Sequence, residues 1–130
     1  MRTKWTSIVI TLLALTVAAV AQSGQTGAWS GTWDGSGSGT FELTLDRSKE
    51  GTPVGRVAVT TDGGNYNADL KAIAFDGSKM TAKYDFPLDG GSEVVMSASF
   101  ESRDAKGTWS LRPKGQDTEL AGGSFTLTKK

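Results

Sequence analysis

The chain has 130 residues, with 14 basic and 14 acidic side chains and neither histidine nor cysteine. That composition excludes Ser-His-Asp and Cys-His nucleophilic systems, zinc sites of the common His/Cys type, disulfides, and lipidation at an N-terminal cysteine. The length suits one domain.

The N-terminus reads as an export signal. Arg2 and Lys4 form a short basic region, Ile8 to Val20 is an apolar run relieved only by Thr11 and Thr16, and Ala19-Val20-Ala21 is a small-x-small cleavage site. The run is shorter than the roughly 20 apolar residues of a membrane span. Residues 1–21 are therefore expected to be a signal peptide, with Gln22 as the first mature residue and no stable membrane span after cleavage. Removing Arg2 and Lys4 leaves 12 basic against 14 acidic residues, a formal charge of −2. With no basic block, electrostatic capture of nucleic acid or anionic lipid is not expected. The location implied is periplasmic or secreted.

Residues 22–28 read as a flexible lead-in and 29–130 as a β-barrel domain. No helical stripe follows. Instead, short runs alternate with period two: Phe41, Leu43 and Leu45, then Val57 and Val59. The alternation continues with Met80, Ala82, Tyr84 and Phe86, with Val94, Met96, Ala98 and Phe100, with Trp109 and Leu111, and with Phe125 and Leu127. Turn chemistry separates them at Gly35–Gly39, Lys49–Pro53, Asp62–Asn65, Asp76-Gly77, Asp89–Gly91, Arg103–Lys106 and Pro113–Leu120. Eight strands are predicted, at about 28–34, 39–47, 54–61, 66–75, 78–86, 92–101, 106–112 and 121–128. Short connections favour an all-β, antiparallel up-and-down barrel.

Two local features are sharper. Asp76-Gly77 is expected to be a two-residue type I′ turn, pairing Phe75 with Ser78 and Ile73 with Met80. Tyr66, Ala68 and Leu70 have the opposite parity to Ile73 and Phe75, so a bulge near Lys71-Ala72 is required if both sets face inward.

A glycine stands two residues before an aromatic in Gly31-Thr32-Trp33, Gly39-Thr40-Phe41, Gly107-Thr108-Trp109 and Gly123-Ser124-Phe125. Glycine and ring share a face, and the glycine leaves room for a neighbour's ring. The bland account, that similar barrel strands have similar needs, outweighs ancestral duplication.

Chemistry-bearing clusters are sparse. The scattered carboxylates read as solvated strand faces and turn residues rather than an acid pair. Asp62, Asn65, Asn67 and Asp69 lack EF-hand spacing and read as a self-capping turn, so no metal site is expected. Gly35 to Gly39 is followed by no lysine or helix and reads as a hairpin loop, not a phosphate cradle.

Gly31-Thr32-Trp33 on the first strand, together with a last strand ending Phe125-Thr126-Leu127-Thr128-Lys129, resembles the small calycin-type barrels, lipocalins and avidins. It also resembles small exported bacterial barrels with a Gly-Thr-Trp opening. The resemblance implies that Trp33 plugs one barrel end and that a basic side chain of a late strand covers it, the position that Arg112 could match. The chain departs from avidins in having no tryptophan between 33 and 109, and from lipocalins in lacking a disulfide and in length. The resemblance therefore carries an architecture and no named ligand.

Two function classes follow. One is a non-catalytic module binding a small apolar or amphipathic ligand in the barrel mouth, with Phe41, Tyr84, Phe86, Met96 and Phe100 as lining and Tyr84 as polar handle. The other is a structural or interaction protein of the cell envelope with those side chains filling the core. No cofactor is implied by either. A void of roughly 300 Å³ or more distinguishes the first from the second.

Overall fold

The computed structural model describes residues 25–130, and the expected signal peptide with Gln22 to Gly24 lies outside them. The described residues form nine strands and no helix. These are β1 (Gly27–Gly35), β2 (Ser38–Arg47), β3 (Pro53–Val59), β4 (Tyr66–Asp69), β5 (Ala72–Asp76), β6 (Lys79–Asp85), β7 (Ser92–Glu101), β8 (Asp104–Pro113) and β9 (Ala121–Lys129). All pairings are antiparallel, in the order β4-β3-β2-β1-β9-β8-β7-β6-β5, so the chain is an up-and-down sheet curled into a half-barrel.

Nine strands appear where eight were expected because the 66–75 run is divided at Leu70-Lys71. Tyr66, Ala68 and Leu70 are turned inward, Lys71 and Ala72 are both exposed, and Ile73 and Phe75 are turned inward again. Two consecutive exposed residues reset the parity near Lys71-Ala72, through a break between two strands and not through the expected bulge. The Leu70 amide donates to the Gly55 carbonyl on β3, whereas the Lys71 amide donates to the Lys83 carbonyl on β6. The break is thus where the chain leaves one edge of the sheet and joins the other. Lys71 Nζ lies 2.6 Å from both Asp85 and Glu93, which ties the junction to β6 and β7.

The β5–β6 turn differs from expectation by one residue. Asp76 pairs with Lys79 and Phe75 with Met80, leaving Gly77 and Ser78 as the two turn residues. Gly77 alone of these has positive φ, at 62°, which fits glycine at the first position of a type II′ turn rather than a type I′ pair. The inward faces are unchanged, because the register moves by two positions across the ladder.

The glycine–aromatic motifs interlock. Gly31 faces Phe41 while Trp33 faces Gly39, and the same exchange recurs on β8 and β9, with Gly107 facing Phe125 and Trp109 facing Gly123. A Cβ built on Gly31 would overlap the Thr126 carbonyl, and one on Gly107 would overlap the Ser97 carbonyl. Such positions let backbones approach closer than any side chain permits, and at Gly39 and Gly107 the facing ring, Trp33 or Phe125, lies in the vacated space.

Inside the curl lies one core of alternating residues: Phe41, Leu43 and Leu45 of β2, Met80, Ala82 and Tyr84 of β6, and Val94, Met96, Ala98 and Phe100 of β7. With no cysteine to form a disulfide, burial of this apolar surface is the term that must offset chain ordering.

Candidate functional site: an aromatic cavity at one end of the curl

The two ends of the curl differ. At one end, the N-terminal segment folds across the opening. Trp29 is 1% exposed, meets Phe100 edge-on at 4.9 Å, and donates its indole N–H to the Gln25 carbonyl. Gln25 is itself buried and its amide donates to the Gly77 carbonyl. Residues 25–28, read from the sequence as part of a flexible lead-in, are thus a closing element whose last two residues belong to β1.

The opposite end holds an apolar cavity of about 410 Å³. Its wall is built from Trp33, Phe41, Val59, Tyr66, Tyr84, Phe86, Val94, Met96, Trp109, Leu111 and Phe125. Ser36 and Gly37 from the β1–β2 turn, Thr61 and Gly63 after β3, Leu88 after β6 and Ala121 at the start of β9 form the mouth. No lining residue carries a formal charge.

The aromatic walls hold one another. Trp33 and Trp109 meet at right angles with centroids 5.4 Å apart, Phe41 and Phe125 lie 5.1 Å apart, and Tyr66 meets Phe86 edge-on at 5.4 Å. The Trp33 indole donates to the Thr60 carbonyl and the Trp109 indole to the Asp34 carbonyl, so both rings are fixed at their polar edges. Across the cavity, the Tyr66 and Tyr84 hydroxyls are 2.7 Å apart. This contact joins β4 to β6 through side chains. Tyr84 is 3% exposed. Burial is the main cause that pushes both phenols above their ordinary pKa, so both stay protonated and neutral at physiological pH.

Of the five residues expected to line a mouth, Phe41, Tyr84, Phe86 and Met96 stand around this cavity. Phe100 does not. It lies at the closed end, packed on Trp29 and Phe75. Phe100 shares its parity with Met96 but is four residues further along β7, roughly 13 Å at the rise of a strand. Trp33, Tyr66, Trp109 and Phe125 join the wall without having been read as lining. The Gly-x-aromatic parity that marks three of them was the available signal.

The Trp33–Arg112 plug is not formed. Trp33 is half-buried in the cavity wall against Trp109, and Arg112 donates to the Ser110 hydroxyl. Alternation explains this: Trp109 and Leu111 line the cavity, which puts Arg112 and Ser110 on the other face of β8. Among the described residues, a cation does lie over a tryptophan at the closed end, where Lys129 Nζ is 5.8 Å from the Trp29 ring centre.

Comparison with protein-family models, with curated proteins and with solved structures returned no match.

Proposed function

We propose that this chain is an exported, non-catalytic binding module that takes a small apolar or amphipathic molecule into the aromatic end of the curl. The observation that carries the reading is the 410 Å³ apolar cavity between Trp33, Phe41, Tyr84, Met96 and Trp109. A volume in the range of small-molecule sites, lined by aromatic side chains with few polar groups, is what such a ligand requires. Close-packed interiors leave little empty space, so a concavity of this size favours the binding reading over a filled core. The asymmetry of the ends also supports the reading. One end is sealed by Trp29 and Gln25, while the other keeps its rings spread by hydrogen bonds at their edges.

Export rests on the Arg2 to Ala21 pattern, and the calycin-type kinship on Gly31-Thr32-Trp33 together with the up-and-down order of the sheet. The periplasm or the outside of the cell is the location proposed. The test is native mass spectrometry of the protein recovered from its exported fraction. The reading expects a mass excess matching one small molecule per chain, removed by organic extraction and restored by adding the extract back. Protein that carries no such adduct and regains none from a lipid and metabolite extract contradicts it.

A further inference from the structure

We propose that the cavity selects an uncharged ligand whose apolar body bears a hydrogen-bond acceptor, such as a ketone or ester carbonyl, and that the Tyr66–Tyr84 hydroxyl pair donates to that acceptor. This inference rests on the binding reading above and specifies its ligand.

Each tyrosyl hydroxyl carries one proton and can accept as well as donate. One of the two protons closes the 2.7 Å bond between the rings, leaving the other hydroxyl proton in the pair unspent. Among the described residues neither hydroxyl has a second partner, although Tyr84 is almost wholly buried. Where Tyr84 holds the unspent proton, the donor is buried in an apolar wall and costly, and an incoming acceptor relieves that cost; Tyr66 is only half-buried. A ligand donor gains less, because the lone pairs left on the two oxygens are cheaper to leave unmet than the O–H that only an acceptor can satisfy. Charge is disfavoured for a separate reason. No lysine, arginine, aspartate or glutamate lines the cavity to balance an ion, and the rings around it are apolar. The pair also spans β4, one edge of the sheet, and β6, the strand next to the other edge, so its position is set by both.

Three naphthalene probes of similar shape separate the possibilities: 2-ethylnaphthalene, 2-acetylnaphthalene and 2-naphthoate, measured by equilibrium dialysis against the mature protein and its Tyr66→Phe/Tyr84→Phe variant. The ratio of acetyl to ethyl affinity should fall about tenfold in the double variant, the effect of about one net hydrogen bond. The carbonyl stretch of acetylnaphthalene bound to the unaltered protein should sit at a hydrogen-bonded frequency, below its value in hexane. This second readout stands even if the variant does not fold. An unchanged ratio in a folded variant, or an unshifted carbonyl, overturns the inference, as does naphthoate binding as tightly as the ketone at pH 7. If ethylnaphthalene binds while the carbonyl is unshifted, the ligand class is wrong and the binding site survives. If none of the three binds, the site itself is wrong.

Discussion

Replacing Gly31 or Gly107 by alanine tests whether the curl depends on backbone approaching backbone. At both positions the obstacle to a Cβ is a carbonyl on a neighbouring strand, Thr126 for Gly31 and Ser97 for Gly107, so no flexible side chain can swing aside. At Gly107 the Phe125 ring also occupies the space. Added volume that forces a backbone shift costs about 1–3 kcal/mol. Rigid obstacles place these two variants at the upper end, roughly 2–3 kcal/mol, a large share of the 5–15 kcal/mol typical of a domain. Gly91→Ala is the matched control, because a Cβ there meets nothing within 4 Å and its φ is not in the left-handed region. It should be neutral or stabilising by up to about 1 kcal/mol, through a less flexible unfolded chain. Urea unfolding followed by tryptophan fluorescence gives all three values on one scale. If Gly31→Ala and Gly107→Ala unfold within about 0.5 kcal/mol of the parent, the range of an ordinary surface change, the close-approach account is refuted.

Trp29→Ala should cost about 3–5 kcal/mol in the same assay, since it empties the closed end; a loss under 1 kcal/mol would show that this end does not depend on the ring. Arg112→Ala and Trp33→Phe should be additive to within about 0.5 kcal/mol, because Arg112 bonds to Ser110 on the outer face; a coupling of 1 kcal/mol or more would restore the plug. Lys71→Met should lower the urea midpoint at neutral pH and hardly at all in acid. Hydrogen bonds from Lys71 hold the Asp85 and Glu93 carboxyls below the usual range, so their contribution is present above about pH 4 and lost as pH falls through the lowered values. Bonding first to Asp85 and then to Glu93 holds Lys71 above its usual value, so its own contribution fails only in strong alkali. Lys71 and Asp85 are exposed and that pair contributes little, so most of the effect should come from the largely buried Glu93; a wild-type-to-variant gap that does not narrow between pH 7 and pH 2 would contradict it.

What could be read in the sequence was whatever the two-residue period carries. Lys79 to Phe86 alternates without a break, and its inward set is the one found. The parity conflict between Leu70 and Ile73 located the junction to within a residue, because a strand cannot turn both sets inward without an extra residue. Parity gives a face and not a depth, however. Trp29 and Trp33 share a face, as do Met96 and Phe100, and four residues of strand separate the sealed end from the open one. Which end closes depends on Gln25 reaching Gly77, a contact 52 positions apart that no local pattern announces. The Tyr66–Tyr84 pair was hidden for a similar reason, since it joins strands on either side of the Leu70-Lys71 junction. Arg112, by contrast, was legible from alternation alone. Its place next to Leu111 already assigned it to the outer face.

The central claim, an open apolar cavity between Trp33, Tyr84 and Trp109, is tested most directly by titrating the protein with N-phenyl-1-naphthylamine, a neutral dye that brightens on leaving water. The account predicts saturable enhancement with one dye per chain, energy transfer from the cavity tryptophans, and loss of binding when Ala121 at the mouth is replaced by tryptophan. A flat titration, or enhancement that Ala121→Trp leaves untouched in a folded protein, would contradict it.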